Sequence, residues 1–380
     1  MLSWSFLSSF FFKKLYHFIR LWTINVRLGD LLLRCIYLGI LTTLYILTNT
    51  MLGIYFFCAF LSTLVITFLI KKYAAPFFLD QPDTGRKRHP KPISRLGGVG
   101  FVVTIIISVY AMGLLSSEYV WYGLAGGTMA LLGLLDDRLS LTWRSKLPLQ
   151  AGLGIALFYV LQPQLNVLHL FAGVSAFEIL YLPLWVCWFL GMVNAVNLCD
   201  GMDGLAAGLV VISVCGATIF GMVPVHLIVA GSLMGFLWFN RFPARLYMGD
   251  CGSLFLGYHL AVVPLLGTWN GGAGAFHIIP FLIMSTYFIW DTTRVFILRI
   301  QAGQNPFRPD QRHFHFMLDA KLKSPVETVK RILVLHAYFV CCGLGAAFFP
   351  QLIVIWAFYG VGVIGLFVWP KVGMLVKKRV

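Results

Sequence analysis

Amide and acidic side chains recur at steps of three in the segment NAVNLCDGMDG, residues 194–204. At this spacing Asn194, Asn197, Asp200 and Asp203 would share one side of a helix. A charge inside hydrocarbon costs about 2.5–3.5 kcal/mol, so an apolar chain that contains these residues must have a use for them. Four such groups exceed what a helix cap needs, and their oxygen atoms suit Mg²⁺ or ribose hydroxyls.

Two further segments supply carboxylates. GLLDD ends an apolar run with Asp136 and Asp137, at the end of a helix where the dipole disfavours negative charge. Adjacent carboxylates also repel each other unless a cation offsets them, which favours Mg²⁺ held against phosphates over two solvated helix-end residues. GDCGS places Asp250 between two glycines at the start of another apolar run, where a helix N-cap is the simpler alternative.

Basic side chains accompany these carboxylates in the segments RKRHPK and RPDQRHFHF. Arginine, lysine and histidine donors recognise anions. The HxH pattern alone does not predict zinc, because no further Cys or His stands at metal spacing. For RKRHPK, a charge cluster that only sets membrane topology is the alternative. The candidate anion-binding residues are Lys87, His89, Arg308, Arg312, His313 and His315.

The elements that would position these residues are membrane helices. Of 380 residues, 59% are hydrophobic and 11% are charged, whereas soluble domains carry about 25% charged residues. Apolar windows of about 20 residues predict eleven or twelve spans, which are too long and continuous for β-barrel strands. The predicted fold class is therefore all-α, a polytopic helical bundle. The predicted spans are 31–49, 51–70, 97–117, 118–135, 147–162, 178–198, 204–221, 224–239, 252–268, 276–297, 333–349 and 351–369.

Basic residues predict the orientation of this bundle. With these spans, all 29 Lys and Arg fall on one side, and the opposite loops carry essentially only Glu118 and Glu178. The positive-inside rule then places both termini and all the polar motifs in the cytoplasm, so we expect the site at the cytoplasmic face. A net charge of +15 is explained by topology and anionic lipid, and no nucleic-acid partner is expected.

Five motifs in order resemble those of the polyprenyl-phosphate N-acetylhexosamine-1-phosphate transferases, of the glycosyltransferase family 4 type. They lie in residues 79–98, 134–150, 194–204, 245–257 and 304–319. The resemblance is strongest to the undecaprenyl-phosphate N-acetylglucosamine-1-phosphate transferases. It implies transfer of a sugar-1-phosphate from a UDP-amino sugar to undecaprenyl phosphate, with release of UMP. It also implies Mg²⁺ as the cofactor, for which Mn²⁺ can substitute.

The resemblance further implies a role for individual residues. Asp136 and Asp137 match the catalytic aspartate pair, in which Asp136 would assist or deprotonate the lipid phosphate. Asn197 and Asp250 match positions that hold the metal. The substrate-binding matches are Lys146 for the phosphates, Asn194, Asp200 and Asp203 for the nucleotide end, and Arg312, His313 and His315 for the diphosphate and sugar.

Some residues depart from the usual motif sequences of the family, so the resemblance does not identify the sugar that is transferred. Phe316 replaces the last histidine of HxHH, Ser140 stands near a usual acidic position, and KPISR replaces IPxxGG. The alternative within this chemistry is the phospho-N-acetylmuramoyl-pentapeptide transferase of peptidoglycan synthesis. A secondary transporter is the alternative from another class, favoured only by Asp291 inside a predicted span, where nearby Arg294 permits a structural ion pair.

The expected location is the bacterial inner membrane, where the lipid-linked product would initiate a cell-surface polysaccharide. O-antigen, enterobacterial-common-antigen-like and teichoic-acid-like polymers are all compatible, and a homodimer is too. Residues 1–50 are predicted to be an N-terminal extension with an interfacial helix and an extra span. Residues 51–370 would form the transferase domain, and residues 371–380 a basic cytoplasmic tail.

Overall fold

A computed structural model describes ten segments of the chain. They are residues 50–74, 79–80, 92–111, 113, 117–161, 178–218, 223–266, 278–307, 310–349 and 352–377. The predicted interfacial helix and first span therefore lie outside the described residues. So do the candidate residues Lys87, His89 and Arg308.

The described residues form thirteen α-helices and one two-residue antiparallel ribbon. The helices are α1 Thr50–Leu69, α2 Gly97–Ala111, α3 Ser117–Leu139, α4 Trp143–Leu161, α5 Glu178–Cys199, α6 Leu205–Ala217, α7 Val223–Asn240, α8 Gly249–Leu266, α9 Ile278–Met284, α10 Thr286–Gln301, α11 Phe314–Leu322, α12 Pro325–Phe348 and α13 Ile353–Lys377. A short π-helical turn, Ile70–Ala74, continues α1, and the ribbon pairs β1 Leu79–Asp80 with β2 Ile93–Ser94.

Long apolar helices confirm the prediction of an all-α polytopic membrane protein. Within the described residues, four helical segments are long and apolar enough to cross a membrane: Leu52–Ala74, Leu182–Cys199, Val223–Asn240 and Pro325–Phe348. Shorter apolar helices, such as α2 and α6, pack beside them. Most predicted spans coincide with a helix to within a few residues, because a continuous apolar run satisfies its backbone polar groups only as a helix in lipid.

Three predicted spans differ from the helices found there, one of them only because α13 continues eight residues beyond position 369. The predicted span 276–297 is two helices, α9 and α10, separated by a turn at Ser285 (φ −85°, ψ 3°). Helix α12 begins eight residues before its apolar window because Ser324 accepts a hydrogen bond from the backbone N–H of Glu327 and Pro325 occupies the first turn. These are start signals that an apolar window does not register.

Helix α8 lies at the centre of the bundle between α3 and α5. Small residues allow close approach at both contacts. A Cβ at Gly257 of α8 would lie 2.6 Å from the Cα of Val193 on α5, and a Cβ at Gly133 of α3 would collide with the backbone of Asp250. The carboxyl end of α3 is therefore held directly against the first turn of α8.

Backbone hydrogen bonds join the segment after β2 to the segment before α8. The Tyr247 N–H donates to the Ser94 carbonyl, and the Gly97 N–H donates to the Tyr247 carbonyl, both at 2.9 Å. Gly249 follows with φ +67°, and a side chain there would collide with the Arg95 carbonyl. Only glycine adopts this conformation readily, so the turn places Arg95 next to the start of α8.

Candidate active site

Lys146 connects two carboxylates that are far apart in sequence. Its Nζ, at the start of α4, forms an ion pair with Oδ2 of Asp136 at the end of α3 and lies 3.3 Å from Oδ2 of Asp250 on α8. The other oxygen of Asp136 accepts the backbone N–H of Leu141 at 2.7 Å, which closes the turn between α3 and α4 around Ser140 (φ +52°). Three helix ends therefore meet at one ammonium group.

Asp137 lies beside this cluster with its side chain only 1% exposed. Its Oδ2 accepts the backbone N–H of Cys251 at 3.3 Å. Its Oδ1 lies 3.6 Å from the guanidinium of Arg95, which is too far for a hydrogen bond, and it has no hydrogen-bond partner in the part of the chain that the structure describes. A buried carboxylate oxygen in this state is costly unless a further cation or donor approaches it.

Asn197 joins α5 to the same cluster. Its amide nitrogen donates to Oδ1 of Asp250 at 3.0 Å and to the hydroxyl of Ser253 at 2.8 Å. Both hydrogen bonds use the nitrogen, so the amide oxygen of Asn197 takes no part in them. This arrangement orients the Asp250 carboxylate between Asn197 and Lys146.

The ionisation of this cluster reflects surplus negative charge. Burial and a hydrogen bond with Asp250 raise the pKa of Asp136 to about 6. Burial and the charge of Asp250 raise the pKa of Asp137 to about 7 and that of Asp200 to about 8. Burial opposes ionisation of Asp250, yet its contacts with Asp136 and Lys146 lower its pKa overall. Burial favours the neutral amine of Lys146, but Asp250 and Asp136 raise its pKa overall.

The donor set suits a hard divalent cation. Asp136, Asp137 and Asp250 bring three carboxylates together against two cationic side chains, Lys146 and Arg95. Mg²⁺ takes a few oxygen ligands from protein and leaves others to substrate and water. Among the described residues, no three carboxylate, imidazole or thiolate groups already converge as metal ligands. The ammonium of Lys146 occupies the space between two of the carboxylates, where a cation would otherwise offset their repulsion.

Two residues predicted to line the nucleotide end make contacts within the protein. The amide nitrogen of Asn194 donates to Oε1 of Gln150 and to the Leu190 carbonyl, both at 2.8 Å. Oδ2 of Asp203 accepts the backbone N–H of Ala244 at 2.8 Å and so ties the end of the NAVNLCDGMDG segment to the loop before α8. These residues position neighbouring elements, whatever else they contact.

A second polar cluster contains the predicted histidines. His313 and His315 stack with ring centroids 5.8 Å apart and an interplanar angle of 14°. Nδ1 of His313 lies 2.9 Å from Oδ2 of Asp291 on α10. His315 is fully buried against the backbone of Gly201, which connects this cluster to the NAVNLCDGMDG segment. Burial lowers the pKa of His315 to about 4, so this ring is neutral near pH 7.

Ion pairs shape the loop that precedes the histidines. Arg299 of α10 is buried and donates to both oxygens of Asp310, at 2.9 and 3.1 Å, and to the Pro306 carbonyl at 2.7 Å. Arg312, which is partly exposed, donates from its guanidinium to Oε1 of Gln304 at 2.7 Å. The loop is therefore fixed to α10 while the Arg312 guanidinium remains near its surface.

Four site residues were not predicted from the sequence. Gln150 had an available signal, since it follows Lys146 by four residues and so shares its helix face. Ser253 had a similar signal, since it follows Asp250 by three residues in GDCGS. Arg95 and Asp291 had none as members of a site, because each reaches it through contacts with distant segments. The ion pair foreseen between Asp291 and Arg294 is present at 2.9 Å.

These features define a class: polytopic helical membrane proteins with a carboxylate and lysine site where several helices end. A sequence model of Glycosyl transferase family 4 matches residues 119–268, which contain α3, apart from its first two residues, and α4 to α8. The match therefore includes Asp136, Asp137, Lys146, Asn197 and Asp250, but not Arg95. A protein of Bacillus subtilis strain 168, described as a probable undecaprenyl-phosphate N-acetylglucosaminyl 1-phosphate transferase, is 34% identical over 276 residues, which cover 70% of this chain and 76% of the relative. The chain belongs to Glycosyl transferase family 4.

Two further relatives show the range of similarity. An undecaprenyl-phosphate alpha-N-acetylglucosaminyl 1-phosphate transferase of Thermotoga maritima is 29% identical over 264 residues, covering 70% of this chain and 79% of the relative. A phospho-N-acetylmuramoyl-pentapeptide-transferase of Streptococcus pneumoniae serotype 4 is 28% identical over 298 residues, covering 67% and 86%.

Proposed function

We propose that the protein transfers N-acetylglucosamine-1-phosphate from UDP-N-acetylglucosamine to undecaprenyl phosphate. An oxygen of the lipid phosphate attacks the sugar-linked phosphorus, a new P–O–P bond forms, and the bond to the bridging oxygen breaks so that UMP leaves with that oxygen. The observation that carries the proposal is the meeting of Asp136, Lys146 and Asp250 at three helix ends, in a chain 34% identical to a probable transferase of this kind.

Electrostatic repulsion between the two substrates is the first barrier to this reaction. Two unit charges 4 Å apart repel by about 4 kcal/mol at an effective dielectric of 20, and a diphosphate and a lipid phosphate carry several charges. In the proposal, the ammonium of Lys146 leaves its carboxylate partners to bind phosphate oxygens, and Arg312 and His313 bind the donor diphosphate. Asp136, freed from Lys146, accepts the proton of the lipid phosphate or holds that phosphate for attack.

Mg²⁺ would be held by Asp137, Asp250 and Asn197. Among the described residues Asp137 has a buried carboxylate oxygen without a hydrogen-bond partner. The Asn197 side chain already lies against Asp250, to which its amide nitrogen donates, and its amide oxygen is not used in that contact. Bound there, the ion would polarise phosphate oxygens and offset their charge. Mn²⁺ has similar ligand preferences and is expected to substitute.

The choice of N-acetylglucosamine rests on the ranking of the relatives. The identity is higher to the Bacillus subtilis protein, at 34%, than to the Streptococcus pneumoniae pentapeptide transferase, at 28%. Family membership removes the basis for a secondary transporter, and the carboxylate of Asp291, its main support, is engaged by Arg294 and His313.

The reaction is proposed to take place at the cytoplasmic face of a bacterial inner membrane. The one-sided distribution of the basic residues supports this face, because nucleotide sugars are cytoplasmic substrates and positive loops stay on that side. The lipid-linked product would then initiate a surface polysaccharide of the O-antigen, enterobacterial-common-antigen or teichoic-acid type.

The test is release of UMP by the purified protein in lipid nanodiscs. The protein is supplied with Mg²⁺, undecaprenyl phosphate and, separately, UDP-N-acetylglucosamine, UDP-N-acetylgalactosamine and UDP-N-acetylmuramoyl-pentapeptide, and the lipid product is identified by mass spectrometry. We expect UMP and a lipid-linked diphosphate sugar with the first donor. Asp136→Asn should abolish both products, and the exposed Glu327→Gln should leave them unchanged. Absence of UMP with every donor would refute the transferase, and turnover of the pentapeptide donor alone would reassign the sugar.

A further inference from the structure

Asp291 is fully buried on α10 and accepts hydrogen bonds from three groups. Its Oδ1 accepts from the Arg294 guanidinium at 2.9 Å and from the backbone N–H of Phe314 at 2.8 Å. Its Oδ2 lies 2.9 Å from Nδ1 of His313. One oxygen therefore caps the start of α11 and pairs with arginine, while the other is used for a single imidazole nitrogen.

This contact determines how the His313 ring is oriented. A carboxylate only accepts hydrogen bonds, so Nδ1 of His313 must carry a hydrogen and Nε2 must lie on the far side of the ring. Nε2 is buried and has no hydrogen-bond partner among the residues that the structure describes. A buried imidazole that is held firmly at one nitrogen and left unsatisfied at the other is suited to contact a ligand through the second.

We propose that Asp291 is a positioning residue that fixes the His313 ring through Nδ1 and directs Nε2 toward the diphosphate of the nucleotide-sugar donor, where the protonated ring donates to a phosphate oxygen. The inference rests on the proposed function, in which the segment around His313 binds the donor. His315, stacked on His313 without a carboxylate partner, remains neutral and packs against Gly201. The two histidines of HxH therefore have different roles: His313 is a charged hydrogen-bond donor, and His315 is a packing residue.

Charged and titratable groups surround the Asp291–His313 pair. They are Arg294 and Tyr287 on α10, His315 on α11 and Cys199 at the end of α5. Arg294 and His313 share the Asp291 carboxylate, one at each oxygen, so this carboxylate is the acceptor that both side chains use. Without it the His313 ring loses the contact that orients it, and we expect the affinity for a diphosphate to fall.

His313 offers a matched pair of variants that leave Asp291 and the α11 cap in place. In His313→Asn the amide nitrogen replaces Nδ1, so the bond to Asp291 survives while the Nε2 group is lost. In His313→Gln the amide nitrogen replaces Nε2, so a neutral donor toward the ligand survives while the bond to Asp291 is lost. Together with Asp291→Asn, they separate ligand binding from support of the fold.

The experiment is calorimetric titration of the full-length protein with UDP, and with uridine as a probe that lacks phosphate. Loss of a hydrogen bond to a charged group weakens binding by roughly tenfold or more. We expect Asp291→Asn to weaken UDP binding by about that factor. His313→Asn should weaken it at least as much, His313→Gln should bind UDP better than His313→Asn because it keeps a donor at the Nε2 position, and uridine binding should change less than twofold in all three.

Several results would overturn the inference. These are an equal loss of UDP and uridine binding in Asp291→Asn, wild-type UDP binding in that variant or in His313→Asn, or a full additional loss when Asp291→Asn is combined with His313→Gln. If Asp291→Asn does not fold, as judged by its melting temperature, the two His313 variants decide the question. If the wild-type protein releases UMP normally while one of these results is obtained, the proposed function stands and only the role of Asp291 is refuted. Wild-type protein that neither binds UDP nor releases UMP would overturn both.

Discussion

The buried carboxylate of Asp137 should make stability depend on pH in the absence of divalent cations. Its pKa is raised from 3.8 to about 7, mainly by burial and by the charge of Asp250. Because the folded-state value lies above the unfolded-state value, the stabilising contribution is fully present below about pH 4 and is lost as the pH rises through about 7. Raising the pKa of Asp137 from 3.8 to about 7 corresponds to about 4 kcal/mol of stability at most, and relaxation of Arg95 and nearby solvent will reduce it.

The melting temperature measures this effect directly, and the eleven tryptophans of the chain provide the fluorescence signal. In detergent with EDTA, we expect the wild type to lose several degrees between about pH 5 and pH 8, and Asp137→Asn to lose clearly less. Adding Mg²⁺ should raise the melting temperature of the wild type at about pH 8, where Asp137 is ionised, and have little effect at about pH 5. An equal pH dependence in the wild type and in Asp137→Asn, or equal stabilisation of both by Mg²⁺, would refute this account of the site.

Three further predictions concern single contacts. Asp250→Ala should reduce UMP release at least a hundredfold while the melting temperature stays within a few degrees, with Glu327→Gln as the unchanged control; normal turnover would remove Asp250 from the site. Gly249→Ala should destabilise the protein by about 1–3 kcal/mol, because φ +67° and the neighbouring backbone leave no room for a Cβ, and thermal melting would show it. Asn194→Leu alone should cost about 1–3 kcal/mol by leaving the buried amide oxygen of Gln150 without its donor, Gln150→Leu should cost less because Asn194 keeps its bond to the Leu190 carbonyl, and the double variant should recover part of the Asn194→Leu loss; additive losses would contradict the pairing.

The sequence predicted most of the helices because a membrane leaves the chain few alternatives. A run of about 20 apolar residues must satisfy its own backbone, so windows located α1, α5 and α7 closely. The break at Ser285 was missed because its neighbours are as apolar as a continuous span. The early start of α12 was missed because its first two turns are polar, as Glu327 and Arg331 illustrate.

The candidate site could be predicted where the residues that contact each other are also close in the sequence. Asp136 and Lys146 are ten residues apart and lie on either side of one turn, so their meeting follows from a helix end and a helix start. The contact of Lys146 with Asp250 spans 104 residues and depends on α8 crossing the bundle. For Asp291 the sequence indicated only the pair with nearby Arg294, because its other partner, His313, is separated from it by a loop whose path the sequence does not specify.

The backbone ladder between Ser94, Tyr247 and Gly97 has an evolutionary consequence. Main-chain amides and carbonyls join these two segments, so the hydrogen bonds of this connection do not depend on which side chains stand at positions 94, 95 and 247. Substitution of Arg95, whose guanidinium lies 3.6 Å from Asp137, would change the charge beside that carboxylate without removing these backbone hydrogen bonds. Related enzymes therefore have a position at which the charge of the site, and with it the choice of substrate, varies while the start of α8 keeps its backbone support.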